Sequence, residues 1–183
     1  RDKRMISDAW GQTIAKAALH VDEHPGRLME VRAKCARLKR HGLKAIVIDY
    51  LQLMAGKERG SETYQRTTDT SVALKELAKE MECPVICLSQ LSRAVETRGG
   101  DRRPMLSDLR DSGALEQDAD LVGFLYRPEY YCTTEEQRSM CISEFERLTY
   151  SELIIAKHRH GRLKTIELDF QGECVRFVQP ASQ

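Results

Sequence analysis

The chain has 183 residues, 41% of them hydrophobic, enough for one compact domain with a sizeable core. Lys and Arg number 29 against 28 Asp and Glu, a net charge of +1, so any nucleic-acid footprint has to be local. The longest apolar runs, such as Ala45 to Ile48 and Pro84 to Leu88, are far too short to span a bilayer, and the charged start (Arg1, Asp2, Lys3, Arg4) has no signal-peptide pattern; the expectation is a cytoplasmic protein with no membrane partner.

Ser7 to Ala18 carries Trp10, Ile14 and Ala17 at helical spacing, and Ala18 to Asp22 reads as a short strand ended by Pro25-Gly26. Arg27 to His41 is predicted as a basic amphipathic helix, with Leu28, Val31, Cys35 and Leu38 on one side and Gly42 as its stop. Lys44 to Tyr50 (KAIVIDY) is apolar on both faces, as a parallel strand covered by helices on both sides requires. A polar loop is expected over Ala55 to Glu62. A long helix follows over Thr63 to Met81, its buried stripe formed by Val72, Leu74, Leu77 and Ala78.

Pro84 to Ser89 (PVICLS) is a second buried strand, followed by an Arg-rich segment from Arg93 to Arg103. Met105 to Ala119 suggests short helices broken at Gly113, and Leu121 to Tyr126 a third apolar strand. Pro128 to Leu148 is polar and irregular, a surface insertion at about 128–150 with a helix in it. Glu152 to Lys157, Leu163 to Phe170 and Glu173 to Val178 complete the chain as strands, with Gly161 and Gly172 in the turns. Strands alternating with helices and then a late run of hairpin strands predict an α/β sheet, parallel in the centre and antiparallel at one edge.

The six cysteines (Cys35, Cys83, Cys87, Cys132, Cys141, Cys174) form no CxxC pair, so they read as reduced structural residues rather than metal ligands. In open parallel sheets ligands bind beyond the carboxyl ends of the strands, which directs attention to Asp49 and Gln90. Asp49, after four apolar strand residues, suits a Mg²⁺ held directly or through water, and equally suits a turn cap. Gln90 can touch a phosphate or an attacking water, although taken alone it reads as a turn residue. The run Lys157 to Lys164 (KHRHGRLK) reads by charge alone as a solvated hairpin.

The stretches IVIDYLQLM (46–54), PVICLSQLSR (84–93), RRPMLSDLRDSGALEQDADLVGFLYR (102–127) and IIAKHRHG (154–161) resemble the successive motifs of DnaB-family replicative helicases, in order and with compatible spacing, over about Ser7 to Phe177. The resemblance implies a RecA-like ATPase fold: a mostly parallel sheet flanked by helices, antiparallel at its C-terminal edge strands, with 1–183 as the C-terminal portion of the domain. It implies that Asp49 is the Walker B aspartate holding the Mg²⁺ of ATP, and that Gln90 links the γ-phosphate to the DNA-binding loops. Arg110, Asp111 and Gly113 fall in the segment that grips the phosphates of single-stranded DNA, with Asp111 where the family most often has Glu. Lys157 and Arg159 match a basic pair reaching a neighbour's ATP, flanking His158 where the family often has Gln. The implied partners are single-stranded DNA, five further copies in a homo-hexamer, a primase and a helicase loader.

The DNA segment is no simple basic patch. Arg93, Arg98, Arg102, Arg103 and Arg110 are interleaved with Glu96, Asp101, Asp108 and Asp111, so contact to phosphates without base readout is the binding mode that fits. No GxxxxGK[ST] occurs in the chain. The family carries that loop, and a catalytic glutamate after it, upstream of the point matching Arg1. The expectation is therefore a fold incomplete at its N-terminal side and a fragment that hydrolyses nothing alone. Two alternatives remain open: a recombination-type RecA-like ATPase, and a non-catalytic adaptor that kept the fold.

Overall fold

The computed structural model describes residues 11, 15–23, 28–55, 61–109, 113–132, 134–136 and 148–180. The first described helix, α1 (Leu28–Lys39), ends where Gly42 takes a positive φ of 83° and the backbone N–H of His41, Gly42 and Leu43 turn back to the carbonyls of Leu38 and Lys39. Strand β1 (Ile46–Ile48) leads into a short helix α2 (Leu51–Ala55), and the long helix α3 (Ser61–Met81) follows. Helix α3 closes in the same way around Glu82, a non-glycine residue with φ 55°. Strand β2 (Val85–Cys87) then pairs with β1 in parallel, Ile46 opposite Val85 and Ile48 opposite Cys87.

These elements share one core. Cys35 of α1, Ile46 and Ile48 of β1, Leu51 of α2, and Leu74, Leu77 and Met81 of α3 are buried together with Cys83. The α3 stripe thus includes the expected Leu74 and Leu77, but Val72 is 46% exposed and Met81 takes its place. Helical geometry explains the exchange: 74, 77 and 81 recur at three and four residues, whereas 72 lies off that line. Strand β1 also departs from expectation. Ile46 and Ile48 are buried, but Val47 between them is 64% exposed, and Ile86 and Leu88 of the β2 region are exposed on the same sheet. Among the described residues only one face of this parallel pair is covered.

The second sheet is antiparallel, in the order β3-β4-β5-β6: β3 (Leu121–Tyr126), β4 (Leu148–His158), β5 (Lys164–Gln171) and β6 (Arg176–Val178). Before it come α4 (Ala94–Thr97), a 3₁₀ turn over Leu106–Asp108 and the short helix α5 (Gly113–Asp118). The α/β class with parallel strands and antiparallel C-terminal strands is present, and among the described residues the antiparallel sheet is the larger. Phe170 packs on Phe177, ring centres 4.9 Å apart, and the Arg127 guanidinium lies 3.6 Å from the Phe170 ring centre.

Several boundaries are corrected. Ala18 to Asp22 forms no strand. The expected loop at Ala55 to Glu62 is bounded by helices, since α2 includes Ala55 and α3 already begins at Ser61. Glu173 lies in a 3₁₀ turn over Gly172–Cys174, so the last strand is only three residues long. Most of Ser7 to Ala18 and most of the insertion at 128–150 lie outside the described residues. No helix among the described residues is long and apolar enough to cross a membrane.

Candidate functional site

The parallel register of β1 and β2 brings Asp49 and Gln90 to the same end of the sheet, one residue beyond Ile48 and three beyond Cys87. The Leu88 N–H donates to the Ile48 carbonyl at 2.9 Å, and the Leu51 N–H donates to the Leu88 carbonyl at 2.9 Å, which locks the two strand ends together. Gln52, which sequence reasoning missed, bridges them through its side chain. Its amide donates to Ser89 Oγ at 3.2 Å, and its Oε1 accepts the Gln90 N–H at 3.4 Å. The only signal for it was its place three residues after Asp49. Tyr50, Leu88, Ser89 and Gln90 line a shallow cleft of about 310 Å³ at this end.

Asp49 is exposed, and no ion pair among the described residues engages its carboxylate. No cluster of three His, Cys, Asp or Glu side chains suited to a metal occurs among the described residues. The arrangement suits Mg²⁺, which is commonly held by one or two carboxylates together with substrate phosphates, rather than a metal needing an all-protein cage. Cys87 beside the site is half-buried, and burial pushes its thiol up to about 11. Cys35 and Cys83 lie in the core, and among the described residues no disulfide forms.

Lys157 and Arg159 stand elsewhere, at the end of β4, and their partners lie on α5 and the turn after it. The Lys157 ammonium donates to the carbonyls of Glu116 and, at 3.0 Å, Gln117. Arg159 donates from one guanidinium nitrogen to the Gln117 carbonyl at 3.3 Å, pairs through another with Asp120 at 3.2 Å, and donates its backbone N–H to the Asp120 carbonyl at 2.8 Å. Two cations thus satisfy the last carbonyls of a helix, where the backbone dipole favours positive charge. Asp120 also takes the Lys75 ammonium of α3, which holds its carboxyl below the usual range, and Ser71 of α3 donates to Asp118 at 2.7 Å. A β-bulge precedes this cluster: Val122 pairs with Lys157 but Gly123 with Ile155, so Ala156 is the extra residue. His158 is exposed, its ring lying over Gly161, where an added Cβ would collide with it.

The structure therefore brings Asp49 and Gln90 together, and Lys157 and Arg159 together, with no hydrogen bond between the two groups among the described residues. Gly113 begins α5, while Arg110 and Asp111 lie outside the described residues. Of the other arginines in that segment, three are committed internally. Arg98 pairs with the buried Asp108, Arg102 donates to the Tyr131 carbonyl at 3.2 Å, and Arg103 forks onto Glu152 at 2.8 and 2.5 Å. They shape the segment rather than offer free charge.

The family model for the DnaB-like helicase C-terminal domain matches residues 1–179. The replicative DNA helicase DnaB of Geobacillus stearothermophilus is 44% identical over 97% of this chain and 39% of its own length. The replicative DNA helicase DnaC of Bacillus subtilis is 42% identical over 97% of this chain and 39% of its own length. Among solved structures, a DnaB-like replicative helicase described with its primase interactions superposes with a TM-score of 0.82 at 38% identity, covering 99% of this chain and 42% of that one. The chain spans about two fifths of the length of these curated relatives. With Asp and Gln at the same end of the parallel strands, the basic pair at the end of β4, and a match along nearly its full length, the chain belongs to the family of DnaB-like helicase C-terminal domains.

Proposed function

We propose that this chain serves, within a longer protein, as part of an ATP-driven replicative DNA helicase that assembles as a homo-hexamer around single-stranded DNA in the cytoplasm. The observation that carries the reading is the parallel pairing of β1 and β2, which gives Asp49 and Gln90 a common strand end. No GxxxxGK[ST] occurs in these 183 residues, and the relatives are more than twice as long, so in this reading the phosphate cradle comes from outside them.

Asp49 would hold the Mg²⁺ of ATP, which neutralises charge on the phosphates when bound. Gln90, its backbone tied to Gln52, would carry the state of the γ-phosphate into the segment that runs on to Arg103. Arg159, with Lys157 and His158 beside it, would face the ATP of a neighbouring subunit. A guanidinium there supplies charge where it develops on the transferring phosphoryl group, an effect worth ~10³–10⁵ in rate. Arg110, Asp111 and Gly113 would contact DNA phosphates without reading bases. The similarity to a helicase described with primase supports primase as a partner, and a helicase loader completes the proposed set.

The test is DNA-stimulated ATP hydrolysis by the complete protein, by its Arg159→Ala variant and by the 183-residue chain alone. Activity in the first and its loss in the other two support the reading. A complete protein without ATPase under any DNA condition overturns it in favour of a non-catalytic adaptor, and strand exchange by that protein would favour a recombination-type ATPase.

A further inference from the structure

The basic pair at the end of β4 does not stand in open solvent. Arg159 is tethered at three points to the end of α5 and the turn that follows it: by its backbone N–H to the Asp120 carbonyl, by an ion pair of one terminal nitrogen with the Asp120 carboxylate, and by a hydrogen bond from the other to the Gln117 carbonyl. Asp120 is tethered in turn, because the Lys75 ammonium of α3 takes its second carboxylate oxygen. The three side chains form a row, Lys75–Asp120–Arg159, reaching from the long core helix to the tip of the hairpin strand.

A guanidinium has five N–H donors in a rigid planar fork. One donates to the Gln117 carbonyl, the other terminal nitrogen lies 3.2 Å from the Asp120 carboxylate in an ion pair, and the side chain remains 46% exposed. Holding both terminal nitrogens of a planar group in this way sets the direction of its remaining donors. We infer that Asp120 is a positioning residue for Arg159: held by Lys75, it orients the guanidinium so that its remaining donors are presented outward, to a phosphate of a neighbouring copy. This inference rests on the reading of Arg159 as a group acting across a subunit boundary. Without the Asp120 carboxylate the guanidinium would keep only its bond to the Gln117 carbonyl and could swing about it, and a displacement of about 1 Å from the reacting group can cost ~10²-fold in rate. Asp120 itself touches no substrate in this arrangement. Its carboxylate is 57% exposed at a turn, so its loss removes little buried structure.

The test is subunit mixing in the complete, ring-forming protein, with ATP hydrolysis as the readout. Asp120→Ala should lower kcat by about 10–10²-fold with KM for ATP little changed, because only an interaction realised in the transition state is lost. Asp120→Glu should restore much of the rate. The decisive step uses Asp49→Ala subunits, whose own site is dead but whose Arg159 and Asp120 are intact. Mixed with Arg159→Ala subunits they should recover activity, since each intact site then gains a competent neighbour. Mixed with Asp120→Ala subunits they should recover it too, while Asp120→Ala mixed with Arg159→Ala should gain nothing over either alone. If the Asp49→Ala and Arg159→Ala mixture fails to recover, Arg159 does not act in trans, and the functional reading and this inference both fall. If that mixture recovers but the one of Asp49→Ala with Asp120→Ala does not, or if Asp120→Ala alone hydrolyses ATP at the wild-type rate, the inference alone is overturned.

Discussion

Glu152 on β4 is 2% exposed, yet it is held ionised: the Arg103 guanidinium grips both its oxygens at 2.8 and 2.5 Å, and the Tyr150 hydroxyl donates to it at 3.0 Å. Replacing Arg103 by Met strands that carboxylate. Removing one partner of a buried ion pair costs ~3–5 kcal/mol. Arg103 is itself 48% exposed, so solvent screens part of the interaction, and Tyr150 remains as a donor. We therefore expect a loss of about 2 kcal/mol at pH 7. The loss should depend on pH with a definite sign. Hydrogen bonds from Arg103 hold the Glu152 carboxyl below its ordinary value of 4.5, so in the native chain its contribution is complete above that value and vanishes as pH falls through the lower folded one. In the variant the partner is gone and burial raises the carboxyl instead, so acid relieves the variant and the gap between the two closes towards about pH 4. Urea unfolding followed by far-ultraviolet circular dichroism at about pH 7 and about pH 4.5 measures this. Adding Glu152→Gln to Arg103→Met should restore much of the loss at pH 7. A difference under about 0.5 kcal/mol at pH 7, or one unchanged by pH, would refute the reasoning.

Val175 sits at φ 52°, where a β-branched side chain crowds its own backbone, so Val175→Gly should stabilise the chain by about 1 kcal/mol, read as a higher urea midpoint. A lowered midpoint would show that its 78%-exposed side chain makes contacts of greater weight than that strain. Because burial raises the Cys87 thiol to about 11, its thiolate is scarce at pH 8, and iodoacetamide should modify it on the order of 10²-fold more slowly than an ordinary thiol. Its protonated form is the one the fold favours, so this part of the stability is complete below the unfolded thiol value of 9.0 and is lost as pH rises towards 11. Peptide-resolved mass spectrometry gives the order of reaction; labelling of Cys87 as fast as the exposed Cys174 would contradict it.

What was legible in the sequence is what local pattern and motif order carry. The period of Leu74 and Leu77 marked a buried helix face, KAIVIDY and PVICLS marked strands, and four spaced motifs marked the family. These follow from side-chain chemistry repeating with the geometry of a single element, which a sequence records directly. The tertiary structure decided the relations between elements. KAIVIDY is apolar throughout, but which of its faces is covered depends on what packs there, and among the described residues Val47 meets no cover. The bulge at Ala156 shifts the pairing of β4 by one residue just before Lys157, an event of strand register that no composition announces. Arg102 and Arg103 are claimed by distant partners, Tyr131 and Glu152, and Arg98 by the buried Asp108 nearby, assignments that the segment's own charge pattern does not reveal. Asp120 is one acid among several in EQDAD until folding sets Lys75 on one side of it and Arg159 on the other. Pairings between residues so far apart in the chain depend on loop closure and packing, and it is there that a charged residue becomes either a solvated group or part of a site.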